Sequence, residues 1–232
     1  MKTFHILGLL LTYPVSETLD LWPDMSELLA KEKLLGTKSL RNIQRWIDNR
    51  LKEDRYDLQE NYVATFDRGR GHSLHLFEHI HGESRERGQA MVDLSEMYAN
   101  KGLSITQSEL PDYLPLFLEY CSRCDYTEAQ SLLQEINHIL VSIGTKLKQR
   151  DNDYAQVFDT LQSLANTKVD QKVIDAAIAF VEADDTSLAA LDKEWEEAAA
   201  FGGDPQQSDC NNCPDPLTTN KEQAIKFVGG MQ

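Results

Sequence analysis

Apolar residues recur at helical spacing along most of this chain, and that periodicity excludes most folds before any motif is considered. Leu40, Ile43, Trp46, Ile47 and Leu51 share one helical face, and Leu58, Tyr62 and Phe66 are spaced by four. Leu132, Leu133, Ile136, Ile139, Leu140, Ile143 and Leu147 make a longer stripe. Alternating β-branched runs, which a half-buried strand requires, do not occur. The pattern predicts an all-α, multi-helix domain whose stripes are buried against one another.

Caps and breakers divide that pattern. The first helix is expected over about Thr3 to Thr12, halted ahead of Pro14, whose ring disfavours helix at Tyr13. Ser16 reads as the cap of a second, kinked or restarted at Pro23, and Gly36-Thr37 ends it and caps a third. A fourth is expected over Asp57 to Phe66. Ser84 reads as the cap of the next, carrying Met91, Val92, Leu94, Ser95 and Tyr98 and ended by Gly102. Thr106-x-x-Glu109 has capping-box spacing and tolerates Pro111 in a first turn; Leu114, Phe117, Leu118 and Cys121 then form a stripe. Thr127-x-x-Gln130 is a second box, expected to open one long helix to Leu147. Asp153 to Ala165, Asp170 to Val181 and Thr186 to Ala200 complete a helical domain over residues 1–200. Residues 201–232, broken by Gly202-Gly203, Pro205, Pro214 and Pro216, are too polar to pack and are expected to be a mobile tail.

Composition narrows the function classes. The formal net charge of -15 over 232 residues argues against nucleic acid, since phosphate binding needs a basic surface. It favours a basic partner such as a cationic peptide segment, although solvated helix faces account for acidic residues equally well. No apolar run reaches the roughly 18 residues that span a bilayer. In MKTFHILGLLLTYP, His5 interrupts the apolar segment and no small-residue cleavage site follows, so a first helix is expected rather than a secretory signal. A cytoplasmic chain with four reduced cysteines is the corresponding expectation.

Few residue patterns suggest catalysis. His75-Leu76-Phe77-Glu78-His79 matches the H-x-x-E-H spacing of inverted zinc peptidases, in which Glu is the general base. His72, His75 and His79 on one helical face would equally suit a polar surface or a peptide groove. Cys121-x-x-Cys124 and Cys210-x-x-Cys213 are two thiolate pairs of the kind that hold zinc, but the gap between them far exceeds the usual spacing. Gly69-Arg70-Gly71 lacks the strand and Lys-Ser/Thr of a P-loop, and no serine nucleophile elbow is present. What remains is apolar surface beside charged turns. Tyr62, Phe66, Leu74 and Phe77, with Leu114, Phe117 and Tyr120, sit at spacings that would line one groove, and any one of them would serve equally as core.

The run FDRGRGHSLHLFEHIHGESRERGQAMVDL, Phe66 to Leu94, together with ELPDYLPLFLEY, Glu109 to Tyr120, closely resembles the cofactor-assembly chaperones of respiratory nitrate reductase. This is the NarJ or delta-subunit type, within the all-helical TorD/NarJ-like redox-enzyme maturation chaperones, and the likeness extends from about the first helix to Trp195. The resemblance implies a cytoplasmic, system-specific chaperone that is not an enzyme. It implies binding to the N-terminal segment of the apo catalytic (alpha) subunit, which delays membrane attachment and promotes insertion of the molybdenum bis-guanine-dinucleotide cofactor. The chain would carry no cofactor of its own. The family's aromatic-plus-turn motif falls on Tyr62, Phe66, Asp67, Arg68, Gly69 and Arg70, with Gly71 completing the turn. Its histidine-glycine-glutamate turn falls on His79, His81, Gly82, Glu83, Arg85, Arg87 and Gly88. The wider group's Glu-Pro-Asp-His pattern falls on Glu109, Pro111 and Asp112, with Tyr113 where His is frequent. On this reading the arginines fork onto carboxylates such as Asp67 and Glu83 to fix the turns, and Leu74 and Phe77 supply groove wall. The competing readings are a zinc hydrolase using His75, Glu78 and His79, and a chaperone for a different molybdoenzyme.

Overall fold

Asp54 and Asp125 begin helices that shorter-range sequence patterns assign to other residues. The Asp54 carboxylate accepts from the Tyr56 N–H at 2.8 Å, and that of Asp125 from the Glu128 N–H at 2.9 Å, each satisfying an orphan donor of a first turn. The computed structural model describes residues 1–68, 70–79, 85–105, 109–167, 169–170 and 172. All of these fall in one unit, Met1–Ala190. The expected helices over 170–181 and 186–200 lie almost wholly outside the described residues, and the expected tail lies entirely outside them, as do Thr106 and Ser84.

The helices are α1 (Lys2–Leu9), α2 (Ser16–Leu19), α3 (Trp22–Glu32), α4 (Thr37–Arg50), α5 (Arg55–Phe66), α6 (Arg85–Asn100), α7 (Leu114–Arg123), α8 (Tyr126–Glu135), α9 (Asn137–Gln149) and α10 (Ala155–Ala165). Two 3₁₀ turns, Arg70–His72 and Leu76–His79, lie between α5 and α6. Among the described residues there is no strand, and the all-α expectation holds.

Several boundaries differ from the sequence reading. Ser16 is the first residue of α2 rather than its cap, and its hydroxyl accepts from Arg55 Nη1 at 2.6 Å. Of Gly36-Thr37, Gly36 stands at the cap of α4 as expected, without a side-chain bond, but α3 ends earlier, at Glu32. Thr127 lies inside α8, capped by Asp125. Glu109 to Tyr113 is not helical, and α7 starts only at Leu114 with Pro115 in its first turn. The reason is competition for the backbone: the Leu76 N–H donates to the Asp112 carbonyl at 3.0 Å, and the Leu114 N–H to the Leu74 carbonyl at 2.8 Å.

The single long helix expected to reach Leu147 is two. Ile136, at φ -91° and ψ 2°, closes α8, and α9 starts at Asn137. Around this break three amides reach the end of α10. Gln130 Nε2 donates to the Leu164 carbonyl, Gln134 Nε2 to Ala165 and Asn137 Nδ2 to Thr167, at 3.0, 3.0 and 2.9 Å. They satisfy carbonyls left over where Asn166, in the left-handed region at φ 51°, terminates α10.

The core follows the predicted stripes. Helix α10 packs on α4, α8 and α9, while α1 packs on α7 and α3. Phe4, Leu7, Leu10, Leu29, Ile43, Ile47, Leu118, Leu140, Phe158 and Leu161 are fully buried, each contributing about 1.5–3 kcal/mol by leaving water. Where α1 crosses α7, Gly8 allows the backbones to meet: a Cβ there would lie 3.0 Å from the Pro115 carbonyl oxygen and 3.3 Å from Leu118 Cβ. Arg50 is buried too, in phase with Ile43, Trp46 and Ile47. Its guanidinium binds Asp153, Glu53 Oε2 at 3.2 Å and Asn61 Oδ1 at 3.3 Å, and lies 4.9 Å from the centre of the Tyr154 ring.

Candidate functional site

Two irregular segments, 72–79 and 109–113, meet at Asp112, whose side chain is entirely buried. Its carboxylate accepts from the His75 ring, Nδ1 to Oδ1 at 3.1 Å, and from the Phe77 N–H at 3.1 Å. His75 and Tyr113 pair as an isolated antiparallel bridge, and their rings lie 5.5 Å apart. From beneath, the Tyr98 hydroxyl donates to the Pro111 carbonyl at 2.8 Å. Tyr62 donates to the Leu11 carbonyl at 3.0 Å, with its hydroxyl 3.3 Å from that of Tyr113. A buried carboxylate of one segment, taking two donors from the other, thus clamps the two together.

The two histidines of this clamp are tuned in opposite directions. The hydrogen bond to Asp112 holds the His75 ring above the ordinary histidine range, against the opposing effect of burial. Burial holds His79 below that range, and its Nε2–H donates to the Ser73 carbonyl at 2.8 Å, which fixes the neutral tautomer.

The one-face arrangement expected for His72, His75 and His79 does not form. His75 is in the bridge and Leu76–His79 is a 3₁₀ turn, so the one-turn α-helical spacing of a zinc peptidase is absent. The rings of His75 and His79 are committed to Asp112 and Ser73, and among the described residues no group of three His, Cys, Asp or Glu could hold a metal ion. Cys121 and Cys124 are buried free thiols that burial pushes above the usual thiol range, while Cys210 and Cys213 lie outside the described residues.

Tyr62, Phe66, Leu74, Leu114, Phe117 and Tyr120 are brought together, but as core beneath the clamp; Phe77 is half-buried. Tyr62 and Phe66 extend an aromatic run through Tyr154 to Trp46 and Trp22. Asp67, Arg68 and Glu109 are exposed at the edge of the two segments. Arg87 Nη2 lies 3.9 Å from Glu78 Oε1, a carboxylate other than those its motif suggested. Gly71 is buried in the first 3₁₀ turn, and Gly88 is exposed in the first turn of α6. Gly69, His81, Gly82 and Glu83, with the side chains of Arg70 and Arg85, lie outside the described residues.

A surface groove that sequence reasoning missed runs beside the clamp. His5, Leu9 and Thr12 face Pro115, Leu116 and Glu119, with Glu109 and Tyr113 at one end, around a cavity of about 170 Å³. A wider depression of about 600 Å³ adjoins it, sharing His5 and Glu119 and reaching Glu32 and Arg123. Part of the signal was available: His5 with Leu9 on α1, and Leu116 with Glu119 on α7, sit at one-turn spacings, although Pro115 and Leu116 are themselves buried.

The clamp falls within a recognisable family. Residues 34–160, more than half of the chain and including both clamped segments, match the nitrate reductase delta subunit family. The chain belongs to it. NarJ of Escherichia coli (strain K12), a nitrate reductase molybdenum cofactor assembly chaperone, is 42% identical over 192 residues, covering 83% of this chain and 81% of that protein. NarW of the same organism, a probable chaperone of the same kind, is 36% identical over 214 residues, covering 92% and 89%. The probable NarJ of Bacillus subtilis (strain 168) is 30% identical over 173 residues, covering 74% and 92%. Among the described residues no helix is long and apolar enough to cross a membrane.

Proposed function

We propose that this chain is a cytoplasmic assembly chaperone of respiratory nitrate reductase, and not itself an enzyme. It binds the N-terminal segment of the apo catalytic subunit, keeps that subunit from premature membrane attachment and promotes insertion of its molybdenum cofactor. The observation that carries this reading is membership of the delta subunit family, together with the 42% identity to a relative named for cofactor assembly. Charge supports it: a chain of net charge -15 is complementary to a basic client segment. The Asp112 clamp supports it too, because a rigid frame lowers the ordering cost of holding a mobile peptide. In this role Asp67, Arg68, Phe77, Arg87 and Glu109 act at the surface of the clamp. The buried aromatics Tyr62, Phe66, Phe117 and Tyr120 hold its shape.

Calorimetric titration of the full chain with a synthetic peptide matching the first residues of the cognate catalytic subunit tests this. One-to-one saturable binding is expected. No heat at low salt across several pH values would overturn recognition through that segment.

A further inference from the structure

Between α4 and the start of α10 lies a cavity of about 340 Å³ that shares no residue with the Asp112 clamp. Asn42, Arg45, Trp46 and Asn49 recur at helical spacing and give it one face of α4; Ala155, Gln156 and Asp159 line it from α10. Its volume falls within the roughly 300–1,000 Å³ of small-molecule sites. Both carboxylates that line it are already taken: Asp159 holds Lys148 at 2.5 Å, and Asp153 holds the buried Arg50. Arg45 is exposed and donates to Asn42 Oδ1 at 3.0 Å, but among the described residues it pairs with no carboxylate. One guanidinium charge is therefore left over. Donors are left over as well. Trp46 is only 4% exposed, yet its indole N–H finds no acceptor among the described residues, and the Gln156 carboxamide makes no bond to them either.

We propose that this cavity binds a small organic oxyanion, its carboxylate or phosphate head on Arg45 and the carboxamides, its apolar part against Trp46 and Ala155. A planar guanidinium takes two oxygens of either head at once, and Asn42, Asn49 and Gln156 supply further N–H donors. An acceptor entering beside the indole would satisfy the buried Trp46 N–H. The walls are packed helices, with Ile43, Ile47, Phe158 and Leu161 fully buried behind them, so the site is pre-formed and little ordering is required. In a chain of net charge -15 an anion is held only where a cation is locally unopposed, and Arg45 meets that condition. The site stands apart from the chaperone reading, and neither carries the other.

The probes are phenyl phosphate, benzoate and the neutral analogue benzamide, each titrated by calorimetry into the full chain at one salt concentration. At least one of the two anions is expected to bind one-to-one with a Kd below about 1 mM, and the tighter of them identifies the head group. Arg45→Gln is expected to weaken that binding at least about tenfold, and Gln156→Ala about threefold. Lys38→Gln, the same charge change about two turns away on α4 and outside the cavity, is expected to stay within about twofold. A probe-dependent rise in Tm, seen in the parent chain and lost in Arg45→Gln, is the second readout. Arg45 is exposed and Gln156 makes no side-chain bond among the described residues, so without probe both variants should melt with the parent. Binding of neither anion would overturn the site. So would benzamide binding as tightly as the anions, or equal weakening by Lys38→Gln and Arg45→Gln, which would mean diffuse attraction only.

Discussion

Asp112 has no exposed side-chain surface, yet it accepts from the His75 ring at 3.1 Å and so joins two segments 37 residues apart. A hydrogen-bonded carboxylate in this position is expected to be structural first. Asp112→Ala leaves the His75 ring and the Phe77 N–H without their acceptor and is expected to cost about 2–4 kcal/mol. Urea unfolding of the variant measures this. A change of less than about 0.5 kcal/mol would mean the clamp does not hold the loops.

The same bond sets a pH dependence. Because the folded ring of His75 is held above its ordinary value, it contributes stability that is fully present below about pH 6.5 and fades as pH rises through the folded value. The difference in urea midpoint between the parent chain and His75→Gln should therefore be largest in mild acid and shrink towards pH 8. Partial exposure of the ring keeps the effect small. His79 runs the other way: its lowered value gives stability present above about pH 6.5 and lost as pH falls through the folded value. A His75→Gln difference that grows with pH contradicts the assignment.

Two glycines should respond oppositely to alanine. At Gly8 the helix-propensity gain of about 1 kcal/mol meets a Cβ contact of 3.0 Å with the Pro115 backbone, whose helix would have to move. A net loss of about 1 kcal/mol is expected, allowing for an overpacking cost somewhat above the gain. A Cβ added at Gly88 would meet no atom within 4 Å, so Gly88→Ala should stabilise by about 1 kcal/mol. Thermal melts of both variants check the signs, and a stabilised Gly8→Ala would mean the α1–α7 crossing is looser than described.

Arg50→Lys keeps the charge but loses the fork that reaches Asp153, Glu53 and Asn61 together. A loss of about 1–3 kcal/mol is expected from chemical unfolding. An unchanged midpoint would show that a point charge suffices there.

Helical periodicity made the fold legible: Ile43, Trp46 and Ile47, and Leu140, Ile143 and Leu147, are buried as their spacing requires. It also placed Arg50 on the core face, a signal that was readable but unused. Local caps were less legible, because Asp54 and Asp125 start helices that the sequence pattern opened at Asp57 and Thr127, and only the packed geometry selects between such neighbours. The break at Ile136 depends on amides reaching the end of α10, which no local pattern encodes. Spacing identified Tyr62, Phe66 and Phe117 as apolar but could not say what covers them. Asp112 entered through family resemblance, and its burial by residues far along the chain lay beyond any window of sequence.

The most direct test of the chaperone account is the molybdenum content of nitrate reductase catalytic subunit purified from cells lacking their own assembly chaperone, with and without this chain supplied. Molybdenum approaching one atom per catalytic subunit, with restored nitrate reduction, is expected only when the chain is present. A folded, expressed chain that leaves the subunit free of molybdenum would contradict the account.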